Sequence, residues 1–361
     1  MSTMRMRDLF PAFYHRFLPD FFQDQIPRET SAACQDCVML PDPTNEHPGP
    51  DLTYSPASKC CTYFPDIPNY LVGAILAETD PTYQDAQTRL KNQIRAKIST
   101  SPFGLERPRK YTVLVHNTPD FFGKSQLLIC PFFASDHGRC TLWPYLTATC
   151  RTWFCKYDRG QEGLEFWRDL RAYWDYLQKI LSRYVLHQFE FAPERILRSS
   201  RNPMALTVEE LDGRAQSPEQ YAQAWGSWVD REEEFYQKAF EQVSALTPEI
   251  FNTLIGIGHT IRLNQVMVRH EKMINPDPPP YLKRNPDMRV QKTRHGTYIV
   301  SAYLPRDAVE LTQRLYAVLD YFDGRLPVDA VIQSLAQQQQ MIPDADLLLS
   351  LYHLRILIPS K

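Results

Sequence analysis

The chain has 361 residues, more than one domain usually holds, and its 43% hydrophobic and 23% charged residues allow a substantial buried core. Lys and Arg number 40 against 42 Asp and Glu, a net charge of −2, so there is no bulk electrostatic pull toward nucleic acid or an anionic membrane. Proline is abundant, 29 residues against 13 glycines, which predicts long, stiffly held irregular connections rather than flexible linkers.

The N-terminal stretch MSTMRMRDLFPAFYHRFLPDFF carries arginines but no uninterrupted apolar run and no small-residue cleavage site, so it does not read as an export signal. No window approaches the roughly 18 apolar residues of a spanning helix. Phe10, Phe13, Phe17 and Phe21 are interrupted by acidic residues, which fits packing on the protein better than a membrane-surface anchor. The expectation is a cytoplasmic protein with no membrane partner.

Residues 1–65 read as irregular and broken by proline. The segment IPNYLVGAILAE then reads as a helix. Asp80 as N-cap and Pro81 at the first helical position open another, with Leu90, Ile94 and Ile98 repeating every four residues. YTVLVHN (Tyr111–Asn117) and SQLLIC (Ser125–Cys130) are expected as strands. After Gly160, the residues Leu164, Trp167, Leu170, Trp174, Leu177, Leu181 and Val185 alternate spacings of three and four, one apolar stripe on a long helix. That stripe is expected to be core, packing on the region before it.

A polar stretch at 198–216 leads to Ser217-Pro218-Glu219-Gln220, which has the form of a capping box, and a further helix is expected from Pro248 to about Met273. His259 and His270 in it read as ordinary histidines. Asn275–Asp287 holds five prolines in 13 residues and marks a boundary. Beyond it, GTYIVSAY reads as a strand and RDAVELTQRLYAVLDYFDG, LPVDAVIQSLAQ and PDADLLLSLYHLRIL as helices. This order resembles the small winged-helix modules of the PqqD-type peptide-chaperone family, and the resemblance implies a peptide or protein docking role. The last helix offers two aspartates and one terminal arginine, a poor surface for phosphates, so nucleic acid is not expected as a partner.

The expected fold class is mainly α with a few short strands. It comprises a cysteine-rich, metal-centred region over 1–197, a helical segment over 198–274 and a proline-rich linker at 275–287. A winged-helix-like domain follows over 288–361.

All eight cysteines fall between positions 34 and 155, in three tight groups. Cys34 and Cys37 form a C-x2-C, Cys60 and Cys61 are adjacent, and Cys130, Cys140, Cys150 and Cys155 crowd into CPFFASDHGRCTLWPYLTATCRTWFC. In a reducing compartment disulfides are rare, and isolated buried thiols would be scattered rather than grouped. Soft and borderline cations take thiolates, and a C-x2-C turn is a chelating bite, so all eight are candidate metal ligands. Neighbouring cysteines diverge and rarely serve one ion, so the adjacent pair favours a cluster of several metal atoms or two sites side by side. An iron–sulfur cluster, one or two of the 4Fe–4S type, is therefore favoured over zinc. Buried thiols and disulfides remain the alternatives. Lys59, Arg139, Arg151 and Lys156 each flank a cysteine and would offset thiolate charge. Phe132, Phe133, Trp143, Trp153 and Phe154 would exclude water, or simply form core. His137, in the turn between Cys130 and Cys140, reads as a solvated histidine rather than a substitute ligand.

The order C-x2-C, C-C, CPFF…GRC and C-x9-C (Cys140 to Cys150) resembles the YkgJ-type cysteine-cluster family, described as a zinc- or iron-chelating domain. The resemblance spans residues 34–155 and matches Cys34, Cys37, Cys60, Cys61, Cys130, Cys140 and Cys150. The chain departs from the family in three places. The gap between Cys37 and Cys60 is long, Leu146-Thr147 stands where the family has Arg-Pro, and Cys155 is additional. A flagellin lysine N-methylase branch carries a similar set, which leaves a metal-dependent protein-modifying enzyme and a non-catalytic zinc-stabilised scaffold as rival readings. No glycine-rich nucleotide loop, H-E-x-x-H or G-x-S-x-G is present, and FFGKS (Phe121–Ser125) lacks the upstream glycine of a P-loop.

Overall fold

The computed structural model describes residues 4–27, 29, 37–41, 53–118, 121–143, 145–192 and 217–360. The protein is mainly α-helical with a few short strands in small sheets. It divides into two compact units, each assembled from three chain segments. The first comprises Met1–Pro27, Thr53–Thr152 and Arg171–Leu263; the second comprises Arg28–Leu52, Trp153–Leu170 and Asn264–Lys361.

In the first unit, β1 (Ile67–Pro68), β2 (Thr100–Ser101) and β3 (Gly104–Leu105) make a minimal antiparallel sheet beside α1 (Asn69–Leu76) and α2 (Gln84–Ala96). Every residue of α1 is buried, its apolar side chains running all round the helix after Asn69. Asp80 caps the turn before α2 as its sequence foretells, accepting the N–H of Thr82 at 2.9 Å, and Leu90 and Ile94 face inward. Further on come α3 (Arg109–Asn117), α4 (Ala148–Thr152) and α5 (Gly160–Gln188), of which Arg171–Gln188 belongs to this unit. They are followed by α6 (Pro218–Trp225), α7 (Glu232–Ser244) and α8 (Pro248–Ile274), the last kinked at Gly256 and belonging to this unit only as far as Leu263. The side chain of Ser217 caps α6 by accepting the N–H of Gln220 at 3.2 Å.

The stripe of α5 is core, with Leu170, Trp174, Leu177, Leu181 and Val185 wholly buried. The N-terminal phenylalanines pack there too: Phe10 lies 4.2 Å from Trp174 and Phe22 lies 5.3 Å from Tyr173, centroid to centroid. Helices α1 and α7 touch backbone to backbone at Gly73, where a Cβ would come within 1.8 Å of the Tyr236 carbonyl oxygen. His259 pairs with the Tyr173 hydroxyl at 2.9 Å, an ordinary half-buried histidine.

In the second unit, β7 (Arg289–Lys292), β8 (Tyr298–Ser301) and β9 (Val309–Leu311) form an antiparallel sheet, while β6 (Leu282–Arg284) pairs with β10 (Leu357–Pro359). Helices α9 (Gln313–Val318), α10 (Val328–Gln337) and α11 (Ala345–His353) close a core that includes Val300, Leu319, Leu335 and Leu357.

Three expectations need correction. YTVLVHN is not a strand but most of α3: Tyr111 is buried, and Leu114 and Val115, three and four residues on, pack with it against Phe64 and Leu128. SQLLIC is not a strand either, because Gln126–Leu128 makes a single 3-10 turn that exposes Leu127 and buries Leu128. The helix expected from Arg306 starts later. Val309–Leu311 joins the sheet as β9, and Thr312 restarts the chain as an N-cap whose hydroxyl accepts the Leu315 N–H at 3.2 Å.

Candidate metal centre

The turn carrying Cys60 and Cys61 is held from beneath by Gly123. The Gly123 carbonyl accepts the Ser55 N–H at 2.7 Å and the Ser58 hydroxyl at 3.0 Å, and its own N–H reaches the Thr62 hydroxyl at 2.7 Å. Ser58 and Thr62 are completely buried, so these bonds satisfy groups that water cannot. Gly123 has φ 76°, and a Cβ there would fall 2.1 Å from the Tyr54 ring. The glycine of FFGKS thus has a structural task. No sequence motif marks it; the available signal is a glycine isolated among bulky residues.

Lys59 occupies the left-handed region at φ 48°, turning the chain directly before the two cysteines, and its ammonium donates to the Gly138 carbonyl at 3.0 Å. The Cys130 N–H donates to the Cys61 carbonyl at 2.8 Å, so the second and third cysteine groups are joined through backbone. The Cys130 carbonyl then takes the Phe133 N–H at 3.0 Å, and β4 (Phe133–Ala134) pairs with β5 (Arg139–Cys140) with Cys140 opposite Phe133. The Cys140 sulfur accepts the Leu142 N–H at 3.4 Å. Cys150 lies in α4.

Five thiols are linked electrostatically: charge at Cys60, Cys130 and Cys140 bears on both Cys61 and Cys150, and charge at Cys60 and Cys140 bears on Cys130. The Cys61 thiol bonds to Cys60 and, with the Lys59 charge, holds the Cys60 thiol below its ordinary value against the opposing effect of burial. Cys61 is pushed far up, first by that same bond, then by burial and by negative charge at Cys60, Cys130 and Cys140. Burial, followed by charge at Cys140, pushes Cys130 up to about 12. Cys150 is raised by burial and then by Cys130 and Cys140. Ionising one thiol here makes ionising the next harder, so the group stays largely protonated unless a cation compensates it.

Cys37 and Cys155 belong to the second unit, and Cys34 lies outside the described residues. Among the described residues the seven cysteines form no disulfide. The donor chemistry suits a thiophilic cation, yet among the described residues no group of three or more His, Cys, Asp or Glu is arranged to hold a metal ion. Phe132 and Phe133 are buried, whereas Trp143 is 55% exposed. The Arg151 guanidinium lies 3.7 Å from the Trp143 ring centroid and donates to the Asp8 carbonyl at 3.1 Å. Burial lowers its pKa to about 10, so Arg151 is a desolvated cation one residue from Cys150. His137 is exposed beside Asp136, as its turn position foretells.

Fold and site together define a mainly α protein with five electrostatically linked thiols carried by a turn, a hairpin and a short helix. No family model, curated protein or solved structure matches the chain. Among the described residues no helix is long and apolar enough to cross a membrane.

Proposed function

We propose that the protein is a cytoplasmic, cysteine-ligated metal-centre protein, with Cys60, Cys61, Cys130, Cys140 and Cys150 supplying the ligands and an iron–sulfur cluster favoured over zinc. The observation that carries this reading is the gathering of five thiols from two cysteine groups far apart in sequence, in a setting where several thiolates can coexist only beside a cation. The adjacent Cys60 and Cys61 favour a centre with several metal atoms. An iron–sulfur cluster would supply electron transfer, and zinc would supply a rigid cross-link. The resemblance to the YkgJ-type family points the same way.

The second unit supports a docking role for a peptide or protein. Its three-stranded sheet with α9, α10 and α11 is compatible with the winged-helix-like arrangement expected over 288–361, and the segment keeps acidic and basic residues in balance. Anaerobic purification followed by absorbance and by iron, sulfide and zinc analysis tests the main reading. A brown preparation with matching iron and sulfide supports the cluster. A colourless one with stoichiometric zinc selects zinc, and a metal-free protein with eight titratable thiols ends the reading.

A further inference from the structure

Of the four cations that flank cysteines in sequence, Arg139 is exposed, Arg151 donates to the Asp8 carbonyl and Lys156 belongs to the second unit. Lys59 takes the Gly138 carbonyl in the turn between β4 and β5, where Gly138 has φ 60° and an added Cβ would stand 3.2 Å from the ammonium. The base of that hairpin is held by a cation that no cysteine spacing marks. Arg89, half-buried on α2, donates from Nη1 to the Pro131 carbonyl at 2.7 Å and to the Phe133 carbonyl at 3.4 Å. Its Nε meets the Asp85 carboxylate, one helical turn earlier, at 2.9 Å.

The pair with Asp85 by itself would be an ordinary surface ion pair on one helix. The carbonyl bonds set Arg89 apart. Inside the hairpin the Cys130 carbonyl takes the Phe133 N–H at 3.0 Å, and the Phe132 carbonyl takes the Thr141 N–H at 2.9 Å. Arg89 takes the carbonyls of the alternate residues, Pro131 and Phe133, so backbone and guanidinium together fix the turn that carries Cys130. Charge from Arg89 also bears on Cys130, as charge from Lys59 does on Cys60. Four thiolates around a dication leave a net charge of about −2, which nearby cations and N–H donors must offset.

We propose that Arg89 is a positioning residue of the thiol centre, fixing the Cys130 turn from α2 and supplying counter-charge to a metal–thiolate group there. The counter-charge rests on the metal-centre reading above; the positioning does not.

The test compares the full chain as wild type, Arg89→Gln, Arg89→Lys and Asp85→Asn, the last losing the helix ion pair but keeping the carbonyl bonds. Hydrogen exchange of the metal-free chain is read over the peptide from Cys130 to Leu142, with α1 peptides as internal control. Arg89→Gln is expected to speed exchange there about tenfold and leave α1 unchanged, while Asp85→Asn matches wild type. Cadmium is then titrated into each chain against a chelator and read by thiolate charge-transfer absorbance, counting the part that Cys130→Ser removes. Arg89→Gln is expected to bind about tenfold more weakly, and Arg89→Lys, which keeps the charge, to recover most of that loss. Unchanged exchange in Arg89→Gln, or the same acceleration in α1, overturns the positioning. Equal weakening in Arg89→Lys and Arg89→Gln, or none in either, overturns the counter-charge. A wild-type chain that takes up no cadmium at these thiols ends the metal-centre reading and the counter-charge with it, and the exchange result then decides the positioning by itself.

Discussion

The backbone N–H of Cys130 meets the carbonyl of Cys61 at 2.8 Å, and through that bond two cysteine groups 69 positions apart in sequence become one cluster. The bond is between main chains, so it fixes the turns before any thiol is engaged. Side-chain chemistry is then added to a scaffold already in place.

The thiols of Cys61, Cys130 and Cys150 are held protonated, so metal uptake must release protons. Bound metal per chain is expected to fall steeply on acidification below neutrality. Cys130→Ser should lose most of its metal, while Cys155→Ser, which changes a residue of the other unit, should lose little. Elemental analysis after desalting at stepped pH reads both outcomes; equal losses in the two variants would contradict the assignment.

Gly123→Ala should loosen the Cys60–Cys61 turn. The residue sits at φ 76° with a Tyr54 ring atom 2.1 Å from where the Cβ would stand. Left-handed strain and the displaced ring together should cost about 2 kcal/mol or more. The loss should appear as a lower denaturation midpoint and faster reaction of the cysteines with a thiol reagent.

Asn69 is wholly buried and makes three bonds: to the Pro102 carbonyl at 2.9 Å, to the Ser182 carbonyl at 3.2 Å, and from the Tyr70 N–H at 2.8 Å. Asn69→Ala leaves all three partners without it in a dry site, a loss of about 2–4 kcal/mol. Asn69→Asp should be no better, because a buried carboxylate cannot donate to two carbonyls. Urea melts of both variants check this.

Leu335 lies at the centre of the second unit's core, completely buried. Leu335→Ala should cost about 2–4 kcal/mol through the cavity it leaves. Amide protection should fall first in β8, β9 and α10, while Leu90 and Ile94 of α2 keep theirs. Uniform loss across both units would show instead that they unfold as one.

The sequence disclosed what short-range physics dictates. The three-and-four spacing of α5, the caps at Asp80 and Ser217, and the all-apolar α1 depend on neighbours within a turn or two, and all were legible. YTVLVHN was misread because a short apolar run fits either period; only the pocket formed by Phe64 and Leu128 selects the helix. At Val309–Leu311, pairing with β8 overrode a helical run, since a strand edge elsewhere in the chain supplied the backbone partners.

The cysteine spacing by itself determined that thiols would matter and where along the chain they lie. Which of them meet was decided only by tertiary structure. The Gly123 clamp sets the Cys60–Cys61 turn, the Cys130 N–H joins it at the Cys61 carbonyl and the β4–β5 hairpin places Cys140, while Cys37 and Cys155 belong to the second unit. The physical reason is range. Residue type and spacing set what a side chain can bind, but convergence depends on hydrogen bonds closed across dozens of residues, which no local pattern records.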